Sequence, residues 1–258
     1  MKPINQENIY SEALSKVPEL TLIFWVIKIF ATTLGETAGD AMSMSLSLGY
    51  LVSTFIFAAF FLTVVAAQIK SKQFKPYLYW LTIITTTTVG TTLADFATRS
   101  LGIGYTGGST ILLGLLLACL MVWYKTLGSV SMDSLTTPKA EKFYWVTIMF
   151  SQTLGTALGD WTADSAGLGY IGAAAIFGSI LLLIIAAHYY TKLSKTLLFW
   201  SAFILTRPLG AVVGDFLDKP VAAGGLALSR YTASITLTLL ILGCIMLFPQ
   251  RAAKAGAH

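Results

Sequence analysis

A chain of 258 residues that is 55% hydrophobic and 11% charged, with a mean hydropathy of +0.74, is far more apolar than a soluble domain, where about 25% of residues carry charge. Apolar stretches take up most of its length, so there is no room for a soluble catalytic domain. The net charge of +5 follows from where Lys and Arg fall relative to those stretches and does not argue for nucleic acid.

In chain order, residues 1–19 come first, a polar segment with Lys2, Glu7, Glu12, Lys16 and Glu19 and no apolar core of the kind a signal peptide needs. Ile9, Tyr10, Ala13, Leu14 and Val17 fall at helical spacing, so this segment reads as an interfacial helix or as a frayed polar terminus. Spans of about 20 residues, the length that crosses a ~30 Å hydrocarbon layer, are predicted near 20–41, 50–69, 78–97 and 108–124 in a first half (20–127). After a cytoplasmic linker (128–142), a second half (143–249) holds spans near 143–163, 171–190, 197–217 and 231–249, and 250–258 form a tail. The fold expected is an all-α integral membrane protein of eight transmembrane helices. Lys70, Lys72, Lys75, Lys125, Lys139, Lys142, Lys192 and Lys195 sit between pairs of spans, which places those loops and both termini in the cytoplasm. Cys119 and Cys244 are isolated packing residues, and His188 and His258 are too few for a histidine metal site.

The pairs of spans are copies of one another. Trp25, Trp80, Trp145 and Trp200 are each followed ten residues on by Gly35, Gly90, Gly155 or Gly210. Five further on stand Asp40, Asp95, Asp160 and Asp215, and 24 after each Trp come Gly49, Gly104, Gly169 and Gly224. Four tandem two-helix repeats are implied. The Trp residues are expected at the inner membrane interface.

Positions four apart share a helix face. Counted from each Trp, +3, +7, +11 and +15 read Lys28, Thr32, Glu36 and Asp40; Ile83, Thr87, Thr91 and Asp95; Ile148, Gln152, Thr156 and Asp160; Phe203, Arg207, Ala211 and Asp215. A polar edge repeated on all four first helices is expected to turn away from lipid, toward its copies or a water-filled path. Beside it, Gly35 and Gly39, Gly90 and Ala94, Gly155 and Gly159, and Gly210 and Gly214 form small-xxx-small pairs that permit close helix approach. The expectation is an inner bundle of first helices ringed by second helices. At ~1.5 Å per residue the Asp lies roughly 22 Å from the Trp, past the midplane. An alternative is a break near Gly39 and Asp40 with a re-entrant loop.

Carboxylates without His or Cys suit hard cations such as Mg, Ca or Mn. Glu36, Asp40, Asp95, Asp160 and Asp215 are the candidate ligands, with Thr32, Thr87, Thr91, Gln152 and Thr156 lining the path. Lys28 and Arg207 are candidate gating or counter-ion groups, able to pair with Glu36 or an Asp, and Lys28 could instead snorkel to the interface. Pro208 is a candidate hinge, and Arg99, Asp164, Asp218 and Lys219 mark a mouth or a solvated loop. The competing reading makes each Asp a cap or an interhelical tie.

With those residues in view, the chain resembles a family of bacterial multi-spanning membrane proteins built from a repeat of unknown function, from about Leu20 to Phe248. The resemblance implies the topology and a bacterial inner membrane, and it implies no activity. GETAGD at Gly35–Asp40 is also similar to the E-x-G-D-K-T signature of calcium and manganese exchangers, although Glu36 and Asp40 are four apart, no Lys follows, and the other repeats lack the Glu. The function expected is transport of a small cation, Mn or Ca first, with proton exchange as a coupling. A pseudo-fourfold channel and a non-transporting membrane assembly protein remain as alternatives. No catalytic residue, cofactor beyond the cation, or nucleic-acid partner is expected, and oligomeric state is open.

Overall fold

The computed structural model describes residues 16–131, 135 and 137–253. The interfacial helix expected over Ile9, Tyr10, Ala13 and Leu14 lies outside them. The described residues hold eight helices of 18 to 24 residues: α1 (Leu22–Asp40, 19 residues), α2 (Gly49–Lys70), α3 (Pro76–Asp95), α4 (Gly104–Leu127, 24 residues), α5 (Pro138–Asp160), α6 (Gly169–Tyr190), α7 (Lys195–Asp218) and α8 (Arg230–Leu247, 18 residues). Local sequence sets their starts. The hydroxyls of Thr21, Thr137 and Ser194 cap α1, α5 and α7, and Pro76 and Pro138 occupy first turns, where the missing N–H costs nothing. The glycine 24 residues after each Trp is explained by its backbone: Gly49, Gly104, Gly169 and Gly224 have φ of 72°, 73°, 64° and 86°, which reverses the chain after the first helix.

α1, α3, α5 and α7 form a closed ring in which each touches the next and α7 returns to α1. The even helices lie outside it, so the predicted inner bundle and outer layer are found. Each second helix packs chiefly on the first helix of the following repeat: α2 on α3, α4 on α5, α6 on α7, with α8 closing onto α1. Outward faces such as Phe55, Leu62, Leu117, Leu182, Leu183, Ile235 and Met246 are exposed, as lipid-facing residues are.

Six helices are apolar enough by composition to cross a membrane: α1, α2, α4, α6, α7 and α8. α3 and α5 are more polar, but at 20 and 23 residues they span ~30 Å and stand in the ring alongside α1 and α7. The threonines of α3 need no water. Thr82, Thr85, Thr86 and Thr88 each donate to a carbonyl one turn back in their own helix, at 2.6–2.9 Å. The chain is therefore a multi-pass, all-α membrane protein.

The tryptophan end of the ring is shut. Phe24, Tyr79, Tyr144 and Phe199, one position before each Trp, are buried and make a cyclic collar: Phe24 on Trp80 (5.3 Å between centroids), Tyr79 on Trp145 (5.9 Å), Tyr144 on Trp200 (6.2 Å), Phe199 on Trp25 (6.2 Å). Trp80, Trp145 and Trp200 are thus buried in the bundle, at the helix ends where the inner interface is expected. Beneath the collar the first and last described segments meet. Ala253 N–H donates to Val17 O (2.9 Å), Glu19 N–H to Arg251 O (3.0 Å), and Val17, Leu135 and Ala253 are all buried there.

Candidate functional site

Above the collar the ring is layered by the four-residue stripe. The first layer holds Lys28, Ile83, Ile148 and Phe203. Lys28 is fully buried with its ammonium 4.2 Å over the Phe203 ring, so it neither snorkels to the interface nor pairs with Glu36.

The next layer locks the helices together. A Cβ on Gly35 would lie 2.2 Å from Thr87 Oγ1, on Gly90 3.0 Å from Gln152 Cβ, on Gly155 2.3 Å from Arg207 Cγ, and on Gly210 2.1 Å from Thr32 Oγ1. The side chain seven residues after each Trp therefore enters the glycine notch of the preceding repeat, and the fourth notch receives the first repeat. In those notches the Thr87 hydroxyl donates to Ala31 O (3.2 Å) and Thr32 to Thr206 O (3.1 Å). The second member of each small pair works likewise where it is Gly: Gly39 faces Thr91, Gly159 faces Ala211 and Gly214 faces Glu36.

Arg207 crosses the axis of the ring. It is fully buried, and its guanidinium donates to Glu36 Oε2 (3.0 Å), Thr91 Oγ1 (2.5 Å), Thr156 Oγ1 (2.6 Å) and Thr32 O (3.4 Å). One side chain so ties α7 to the other three inner helices. Pro208 beside it packs on Gly155, and α7 continues through it without a break. Thr32, Thr87, Thr91, Gln152 and Thr156 are all fully buried, and the four threonines take part in these ties. The Gln152 amide has no hydrogen-bond partner among the described residues.

Asp40, Asp95, Asp160 and Asp215 do converge, all buried at one level at the far end of the ring. Oxygens of Glu36, Asp160 and Asp215 lie within 4.8 Å of one another, as do those of Glu36, Asp40 and Asp95, and of Asp40, Asp215 and Asp218. Two cations from the stripe's next step bridge the aspartates in pairs. Arg99 lies 3.1 Å from Asp95 and 3.2 Å from Asp160, and Lys219 lies 2.5 Å from Asp40 and 2.9 Å from Asp215. Arg230 adds a contact to Asp218 at 2.8 Å and a longer one to Asp40 at 3.8 Å. Burial alone would depress the Lys219 ammonium, but Asp215, Asp40 and Asp218 outweigh it and hold the pKa above the ordinary lysine value.

The alternative of a break near Gly39 and Asp40 is not what is found: α1 runs through Asp40 into a π-helical turn, Ala41–Ser45, and only then reverses. Equivalent turns follow Asp95 (Phe96–Ser100) and Asp160 (Trp161–Ser165), while repeat four stays α-helical to Asp218. No re-entrant loop forms. The bridging roles of Arg99 and Lys219 were not assigned from sequence, yet the same stripe carried one step beyond the aspartates reads Met44, Arg99, Asp164 and Lys219. Asp164 stays outside the ring, accepting from Tyr105 Oη at 3.4 Å.

No curated protein and no solved structure matches this chain. A family model does, four times in tandem, over residues 23–74, 78–128, 143–194 and 198–249, in register with the helix pairs above. The chain therefore belongs to the family described as Repeat of Unknown Function (DUF347).

Proposed function

We propose that this protein is a membrane carrier for a small divalent cation, of the Mn or Ca class, bound in the carboxylate ring. The observation that carries the reading is a charge imbalance. Five buried carboxylates (Glu36, Asp40, Asp95, Asp160, Asp215) meet three bridging cations (Arg207, Arg99, Lys219), leaving two negative charges in excess. A divalent cation offsets excess negative charge there and so do protons, which supplies the basis for exchanging one against the other. The donors are hard oxygens throughout, and no other cofactor and no catalytic role is needed.

Lysine placement supports an orientation with the tryptophan end and both termini toward the cytoplasm, which in the bacterial inner membrane that the family resemblance implies puts the carboxylate ring toward the outside. Arg207 lying across the axis speaks against a standing pore and favours a carrier over a fourfold channel. The glycine notches favour a second reading, in which the polar stripe only assembles the bundle.

The two separate in one experiment: thermal unfolding of the purified protein in detergent with Mn, Ca, Mg, Na or K salts, for the wild type and Asp40→Asn. Selective stabilisation by one divalent cation is expected, about 2.7 kcal/mol at a hundred times its Kd, and lost in Asp40→Asn. Uptake of the same ion into proteoliposomes should saturate and respond to a proton gradient. Indifference to every ion, together with a less stable Asp40→Asn, would leave the assembly reading in its place.

A further inference from the structure

The two bridging cations of the aspartate ring differ in how firmly they are held. Arg99 is a planar fork set between Asp95 and Asp160, donating also to Tyr50 Oη (3.2 Å), with its guanidinium 6.0 Å from the Tyr50 ring and 5.8 Å from that of Tyr105. Lys219 has none of this apparatus. It is a point charge on a four-carbon stem, anchored by carboxylates alone among the described residues; at 13% its side chain is less exposed than that of Arg99 at 28%, so the contrast lies in the anchoring groups and not in exposure.

Its backbone is built differently too. The first three repeats reverse through a π-helical turn and the short connections 46–48, 101–103 and 166–168. Repeat four lacks that turn, and residues 219–229 fold into a longer loop whose Gly225 packs on the Lys219 carbonyl, where an added Cβ would lie at 2.2 Å. Ala227 N–H donates to that carbonyl at 2.9 Å. The main chain at Lys219 is pinned by these contacts, and its side chain is tied only at the ammonium.

What the ammonium covers is a ready set of oxygens. Asp40, Asp215 and Asp218 bring carboxylate oxygens within 4.8 Å of one another; Oδ2 of Asp218 accepts from Arg230 Nε at 2.8 Å at the edge of the cleft, while Oδ1 of Asp40 and Oδ1 of Asp218, both buried, have no hydrogen-bond partner among the described residues. Buried polar atoms are seldom left so. The ammonium nitrogen, 2.5 Å from Asp40 and 2.9 Å from Asp215, marks a position where positive charge is already accommodated.

We propose that the cation seat of the ring is the cleft between Asp40, Asp215 and Asp218, and that Lys219 is its tethered occupant, which swings out when a divalent cation binds. This rests on reading the ring as a cation site. It makes repeats four and one the entry side and leaves Arg99 as the fixed counter-charge of repeats two and three. Affinity for the free ion is then reduced by the fraction of time the seat is filled from within.

The test is equilibrium binding of Mn and Ca to the full chain in detergent, for the wild type, Lys219→Ala, Lys219→Arg and Arg99→Ala. Lys219→Ala is expected to tighten divalent binding about tenfold, the gain from removing an occupant that fills the seat about nine-tenths of the time. Lys219→Arg, which retains the charge and its support of the fold, should weaken binding several-fold, because a guanidinium holds two carboxylates in a fixed fork. Arg99→Ala should not tighten it. Wild-type binding that Lys219→Ala leaves unchanged or weakens would overturn the role of Lys219 while sparing the ring. If Lys219→Ala does not fold, binding in Lys219→Arg equal to or tighter than wild type overturns it instead. Absence of divalent binding in every variant would refute the cation reading itself.

Discussion

Replacing Gly210 by Ala is expected to cost about 3 kcal/mol or more of stability, a large effect for one methyl group. The new Cβ would stand 2.1 Å from Thr32 Oγ1, 2.6 Å from Thr32 Cβ and 2.9 Å from the Thr32 carbonyl carbon. Because one of those atoms is backbone, no rotamer of Thr32 relieves the clash, and α1 and α7 must part. Unfolding in detergent by a denaturing surfactant measures the loss. Combining Gly210→Ala with Thr32→Gly should recover part of it, since the two nearest atoms are removed. Combining it with Thr87→Gly, which empties the notch at Gly35, should recover none. Gly114→Ala and Gly178→Ala meet nothing within 4 Å and should be neutral or slightly stabilising through helix propensity. Equal losses at Gly210 and Gly114 would mean that the notches do not hold the ring.

Arg207→Met should be the most damaging single change that removes a charge. It breaks the links to Glu36, Thr91, Thr156 and the Thr32 carbonyl together, and it leaves the Glu36 carboxylate buried and unpaired, for which the loss is about 3–5 kcal/mol. Glu36→Gln alone strands the guanidinium and should be costly as well. The double variant Arg207→Met with Glu36→Gln should lose clearly less than the sum of the two, by an interaction energy of about 2 kcal/mol. Strict additivity in that cycle would show that Arg207 serves the fold through its other contacts and that the pair with Glu36 is incidental.

Much of this architecture was legible in the sequence, because four copies kept Trp, Gly and Asp in step and a four-residue stripe connected them. The inner bundle, the outer layer and the convergence of the four aspartates all follow from that register. What did not follow was which helix each second helix would meet. Adjacency in sequence suggests its own first helix, but the left-handed glycines such as Gly49 turn the chain so that α2 reaches α3. The aromatic collar was also missed: the stripe carried one step back lands on Phe24, Tyr79, Tyr144 and Phe199, and those rings pack on the indoles of Trp80, Trp145, Trp200 and Trp25. Glu36 was assigned to an ion with Lys28 as one partner on offer, yet Lys28 points at Phe203 and Arg207 reaches the glutamate. Helical spacing fixes a shared face but not which of two long side chains crosses the axis.

The cyclic order of contacts has an evolutionary consequence. A ring in which every repeat relates to the next in the same way is the arrangement a homotetramer of two-helix subunits would adopt about a fourfold axis. In such a tetramer any side chain on the axis would occur four times, and four copies of Arg207 could not share the space that one fills. Fusion of the repeats into one chain is thus what allowed a single arginine, a single glutamate and a single buried lysine to take unequal places in an otherwise equal ring.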